Sequence, residues 1–144
     1  MRGGGALAAT PTIVTLGVQD LKRSIRFYEA GLAFSRVPYQ SETIAFFDLG
    51  GAQLALFPRD ALAEDAGVSP LGEGFTRVSL ARFVASSEEV RTFLHRAVQA
   101  GATLTRAAQA TTWGGFSGYF ADPDGHLWEI ACDSKTYGRE MAAA

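Results

Sequence analysis

The chain has 144 residues, 47% of them hydrophobic and 19% charged, with 13 lysines and arginines against 15 aspartates and glutamates. That length fits one domain, or two small modules sharing a core, with enough residues to bury a sizeable interior. A formal net charge of −2 gives no basic footprint, which argues against nucleic acid and membrane surfaces as partners and leaves small molecules open.

Residues 1–10 carry one arginine and no apolar run long enough for a signal-peptide core, so they are expected to form a flexible leader. No later stretch approaches the ~20 apolar residues of a membrane-spanning helix. A first module is expected over residues 11–58. Thr12 to Val18 alternates Val14, Leu16 and Val18 against Ile13, Thr15 and Gly17, the period of a strand. Asp20 stands where a helix N-cap belongs, Leu21, Ile25 and Tyr28 follow at helical spacing, and Gly31 is placed to cap the end. Phe34 to Tyr39, Thr43 to Leu49 and Gln53 to Phe57 read as three further strands, with connections too short for crossover helices and therefore antiparallel.

Residues 59–75, with scattered glycine, proline and acidic residues, read as a linker with a helical turn over Ala61 to Ala66. The pattern then restarts over residues 76–134. Thr76-Arg77-Val78-Ser79-Leu80 echoes Thr12-Ile13-Val14-Thr15-Leu16, and Ser86 with Glu89 forms a capping box before a helix over Ser87 to Ala100. Val90, Phe93, Leu94, Ala97 and Val98 give that helix its apolar stripe, and Gly101 is placed as its cap. Strands are expected at Thr103 to Arg106, Gln109 to Trp113, Tyr119 to Ala121 and Leu127 to Cys132, with residues 135–144 as a C-terminal tail. The fold class is therefore α+β, two tandem βαβββ modules whose sheets pack to leave a cleft.

Asp122-Pro123-Asp124-Gly125 supplies a preset φ, two carboxylates able to cap their own backbone and a glycine for positive φ, which spells a tight reversal. On the strand that follows, Trp128 and Ile130 point one way while Leu127, Glu129 and Ala131 point the other. A carboxylate in a strand interior needs a cation, a metal, a ligand or water, which makes Glu129 the chain's most suggestive charge. His95 lies off the apolar stripe of its helix and reads as solvent-facing, while His126 has the wrong strand parity to share a ligand with Glu129. Arg82 interrupts the apolar face Val78-Leu80-Val84 and reads as a surface residue at a sheet edge or bulge. Cys132, the single cysteine, reads as a buried small hydrophobe, and a reducing cytoplasm is the expected compartment.

The duplicated pattern, with Val14-Thr15-Leu16-Gly17-Val18-Gln19-Asp20-Leu21 at its head and Phe120-Ala121-Asp122-Pro123-Asp124-Gly125-His126-Leu127-Trp128-Glu129 at its tail, resembles the vicinal oxygen chelate superfamily over about residues 12–133. That superfamily includes glyoxalase I, extradiol dioxygenases, fosfomycin resistance enzymes and bleomycin-resistance proteins. The resemblance implies a curved mixed sheet with a U-shaped cleft, a homodimer and, in the metal-dependent members, a divalent ion acting as a Lewis acid. The positions that would ligate it read here as Ile13, Ala55 and either Arg77 or Ser79, and only Glu129 is a ligand type. One carboxylate holds a divalent ion weakly, so no cofactor is expected, with a divalent metal left open.

Without a metal, the cleft-facing residues describe a small-molecule pocket built from Ile13, Thr15, Arg77, Ser79, Phe83, Trp113, Tyr119 and Glu129. The expected function is a metal-free binding protein of the bleomycin-resistance type that sequesters a small aromatic or cationic compound. The alternative is a lyase, isomerase or dioxygenase of the same superfamily, with a divergent metal site or with Glu129 as a general acid or base.

Overall fold

A computed structural model describes Thr12–Ala144, so the expected leader and the start of the first module at residue 11 lie outside the described residues. The chain divides into two compact units between Gly72 and Glu73. Each carries one four-stranded mixed sheet.

In the first unit, strands β1 (Thr12–Val18), β2 (Ser35–Val37), β3 (Ala45–Asp48) and β4 (Ala52–Pro58) lie in the order β1-β4-β3-β2. β1 runs parallel to β4, with Thr15 opposite Ala55, and β3 is antiparallel to both β4 and β2. The connection between β1 and the hairpins is helix α1 (Leu21–Ile25), started by Asp20, whose carboxylate accepts from the Arg23 N–H at 3.1 Å. It continues as a π-helical turn over Arg26–Gly31, closed by the Leu32 N–H donating to the Phe27 carbonyl at 2.9 Å. The widened turn brings both Phe27 and Tyr28 inward, and Tyr28 meets Phe27, Phe34 and Phe47 at ring separations of 4.9, 5.5 and 6.2 Å. Gly31 is therefore the last helical residue rather than a left-handed cap; the left-handed position falls on Ala33, at φ 60°.

β2 and β3 are shorter than their apolar runs suggest. Pro38 has no N–H to extend the ladder beyond Val37, and Ser41 turns the chain by accepting from the Thr43 N–H at 3.1 Å. The expected linker begins as a helix, α2 (Arg59–Ala66), which Gly67 ends at φ 77°. α2 lies against Gly17, where an added Cβ would stand 3.2 Å from the Arg59 Cα, so the glycine is what admits the helix backbone.

The second unit repeats the plan: β5 (Ser79–Phe83), helix α3 (Ser87–Gln99), β6 (Thr103–Ala110), β7 (Phe116–Ala121) and β8 (Leu127–Cys132), in sheet order β5-β8-β7-β6. Ser86 caps α3 by accepting from the Glu89 N–H, and Val90, Leu94 and Ala97 are buried against the sheet. On the sheet side, Phe93, Phe120 and Trp128 form a stacked row with ring separations of 6.3 and 6.4 Å. The two strands expected over Thr103 to Trp113 are one strand, β6, with register shifts between Leu104 and Arg106 and between Arg106 and Gln109. Those bulges interrupt the alternation that a sequence reading relies on.

The echo Thr76-Arg77-Val78 is not strand. Arg77 takes a left-handed backbone conformation at φ 66° and β5 begins only at Ser79, so the side-chain alternation expected to link Arg77 with Ser79 does not apply. Arg82 is half-buried on an unbroken β5–β8 register, opposite Ile130. The expected tail is helix α4 (Ser134–Ala143), capped by Asp133 accepting from the Thr136 N–H at 2.7 Å. It is clasped to the start of α3, where the Ser87 N–H and hydroxyl both donate to the Glu140 carboxylate, and Tyr137 stacks on Phe116 at 5.1 Å. Asp133 and Glu140 are each held below the usual carboxylate range by these hydrogen bonds.

Candidate functional site on the open face of the second sheet

The turn Asp122–Gly125 aims β8. The buried Asp122 carboxylate accepts from the Asp124 and His126 N–H groups at 2.9 and 2.8 Å and from His126 Nδ1 at 2.8 Å, and Gly125 takes φ 93° as its N–H closes the turn onto the Asp122 carbonyl. His126 is thus engaged inside the turn by its own neighbour.

From there alternation sends Trp128 and Ile130 into the core, both at most 2% exposed, and leaves Glu129 half-buried on the other face. Pairing then sets its neighbours. Tyr119 on β7 lies opposite Glu129, Arg106 on β6 lies opposite Tyr119, and Ala81 on β5 lies opposite Glu129 from the other side. One row across the sheet therefore reads Arg106, Tyr119, Glu129, Ala81. The adjacent row reads Gln109, Ser117, Ala131, Phe83.

The row is electrostatically organised. The Tyr119 hydroxyl is pushed above the ordinary tyrosine value by burial first, then by the negative charge of neighbouring Glu129 and its pull on the hydroxyl proton, with Arg106 pulling the other way. Gln109, with its amide oxygen turned toward the guanidinium, accepts from Arg106. At the β5 side of the face, Phe83 is 61% exposed and Trp113 47% exposed, with ring centroids 6.4 Å apart. Trp113 lies directly over Gly115, where no side chain would fit. The face thus offers a cation, a hydroxyl, a carboxylate and two accessible aromatic rings around a floor of Ala81, Ala131 and Ser117.

Of the expected site residues, Ser79, Phe83, Trp113, Tyr119 and Glu129 are brought to this one face or its rim. Ile13 and Thr15 are exposed on the corresponding face of the first sheet, and Arg77 is exposed in the segment before β5. The register also decides between the two alignments open for the second module. Because Thr15 pairs with Ala55 and Ala81 with Glu129, Ser79 is the counterpart of Ile13 and Arg77 is not. Arg106, Gln109 and Ser117 belong to the site and were missed. The only sequence signal for them was the interrupted alternation between Thr103 and Trp113, which reads equally as two strands.

The residues present do not fit a divalent metal. Ile13, Ala55 and Ser79 have no side chain suited to ligation, and among the described residues no three His, Cys, Asp or Glu side chains gather in a way that could hold a metal ion.

Comparison with known proteins places the fold in a family. The model of the Glyoxalase/Bleomycin resistance protein/Dioxygenase superfamily matches residues 11–130. Metallothiol transferase FosB of Shouchella clausii (strain KSM-K16) is 31% identical over 120 residues, covering 81% of this chain and 75% of that protein. FosB of Lysinibacillus sphaericus (strain C3-41) is 29% identical, with 78% and 74% covered. Among solved structures, a glyoxalase-related enzyme from Fulvimarina pelagi is 38% identical with a TM-score of 0.79, covering 87% of this chain and 88% of that one. With the repeated βαβββ plan and the Asp-Pro-Asp-Gly turn leading into Glu129, these matches establish that the chain belongs to the glyoxalase/bleomycin resistance protein/dioxygenase superfamily and has the vicinal oxygen chelate fold.

Proposed function

We propose that this protein binds a small aromatic or cationic molecule on the open face of its second sheet, without a resident metal. The observation that carries the reading is the placement of Tyr119 opposite Glu129, on the same face as the exposed Phe83–Trp113 pair. A half-buried carboxylate on a sheet face is placed to receive a cationic or hydrogen-bond-donating group. A ring or cation seated next to it would fall within reach of two aromatic faces, which favour such partners. Arg106, two strands away at ~10 Å by ordinary strand spacing, would select for an acceptor at the far end of the ligand. The superfamily resemblance adds a homodimer in the cytoplasm to this reading.

A thermal-shift screen of small aromatic and cationic compounds tests it, because a ligand that binds only the native state raises the melting temperature. A hit should lose about 10-fold or more in affinity with Glu129→Gln, as expected for a charged hydrogen-bonding partner. Binding that ignores both Glu129→Gln and Trp113→Ala would refute the site.

A second reading is favoured by one observation, the ~30% identity to two proteins called metallothiol transferase. In it the chain is a lyase, isomerase or dioxygenase of the same superfamily, with a divergent metal site that includes Glu129 or with Glu129 as general acid or base. Elemental analysis of protein purified without chelators tests the metal-dependent form of this reading, and turnover of a dicarbonyl adduct or catechol by metal-free protein tests the acid-base form. A stoichiometric Fe, Mn, Ni or Zn that disappears with Glu129→Ala would displace the metal-free reading.

A further inference from the structure

The opposite face of the second sheet carries a second concavity, between α3 and β6. It is an open groove of about 430 Å³ lined by Arg91, Leu94, His95, Val98, Leu104 and Ala108. Its volume falls within the range of small-molecule pockets.

The groove follows from two features of the chain. Gly118 lets Leu94 settle onto the sheet: a Cβ there would stand 2.5 Å from the Leu94 Cδ1 and 3.0 Å from the Ala108 nitrogen. Beside it, register shifts on either side of Arg106 interrupt the regular pairing of β6. Two large aliphatic side chains, Val98 and Leu104, consequently remain 43% and 44% exposed across from each other instead of completing the core. At one end Arg91 and His95 stand one helical turn apart, and no acidic side chain lines the groove. Arg91 is fixed over the Phe116 ring at 4.6 Å.

We propose that this groove is a binding site for an anionic amphiphile, a medium-length alkyl chain ending in a carboxylate. The chain lies along Leu94, Val98, Leu104 and Ala108, and the carboxylate meets Arg91 and His95. By strand alternation the groove lies on the reverse of the sheet from Glu129, so it stands or falls independently of the site above.

Amide chemical-shift titration of the full chain with sodium decanoate, and in parallel with decyltrimethylammonium, tests the assignment. Decanoate should shift His95, Val98, Leu104 and Ala108 saturably below ~5 mM, the range a ligand of this size can reach, and bind about 10-fold or more tighter than the cation. Val98→Glu should abolish the response, and His95→Glu, a change at an exposed helix position that leaves the fold intact, should weaken it several-fold. Glu129→Gln should leave it unchanged. Equal binding of the two amphiphiles, shifts confined to the open face, or shifts that grow with protein concentration in place of decanoate would each overturn the proposal.

Discussion

The two sheets share one plan and differ in what they display. By register Ala55 answers to Glu129, Phe46 to Tyr119, Thr15 to Ala81 and Ile13 to Ser79. Where the second sheet sets a carboxylate against a hydroxyl, the first sets a fully buried alanine against a half-buried phenylalanine. Both retain the strand order, the parallel outer pair and the helix-covered apolar face. The backbone plan is therefore compatible with either surface, since the helix-facing residues hold the sheet and the alternate residues are free to carry chemistry. In this chain the facing carboxylate and hydroxyl stand in the second copy.

The largest expected effect comes from the face both copies share. Trp128→Ala removes a ring stacked on Phe120 from a position 2% exposed and should cost about 3–5 kcal/mol in denaturant unfolding; Leu54→Ala, its counterpart in the first sheet, should cost about 2–5 kcal/mol. The open faces should respond unequally to exchanging their residues. Ala55→Glu places a carboxylate at a position with no exposed surface and should cost ~2 kcal/mol or more, whereas Glu129→Ala should stay within ~1 kcal/mol because half-buried Tyr119 can turn to water. Equal costs would mean the two faces are not the different environments described.

Spectroscopy sharpens the contrast further. Phenolate absorbance should show Tyr119 ionising later than an ordinary tyrosine, and Glu129→Gln should bring it part of the way back, since burial is the larger cause and remains. A smaller effect lies on the acid side. Glu140 is held below the carboxylate value of 4.5 by its hydrogen bonds from Ser87, so its contribution is present above that value and is lost as pH falls through its lowered folded value. Glu140→Gln should flatten that part of the acid denaturation profile by lowering stability at neutral pH toward its acid value, since the charged form contributes there.

The sheet cores, the capped helices and the face of Glu129 were legible in the sequence because each depends on local period and capping chemistry. Asp20, Ser86 and Asp122 make the hydrogen bonds their positions predict. The residues across from Glu129 were not legible, because a bulge resets alternation without leaving a distinctive residue. Arg106 and Gln109 look like members of separate strands until pairing puts both on one face. Arg77 failed for the reverse reason: Thr-Arg-Val-Ser-Leu has a strand's composition, yet a left-handed backbone at Arg77 delays the strand by three residues. Helix α4 was missed because Gly138 and a polar N-terminal turn weaken its helical signature, and its hold depends on Ser87, 53 residues away.

That hold gives the molecule a built-in reporter. Cys132 is fully buried where β8 passes into α4, and its thiol is pushed above the ordinary value by burial first and then by the nearby Glu140 and Asp133. A thiol kept protonated and covered reacts slowly with alkylating reagents. Its labelling rate therefore reports openings of the second unit at the end of β8, and a chain shortened after Asp133, which loses the charge of Glu140 beside the thiol, should label faster while keeping its strands.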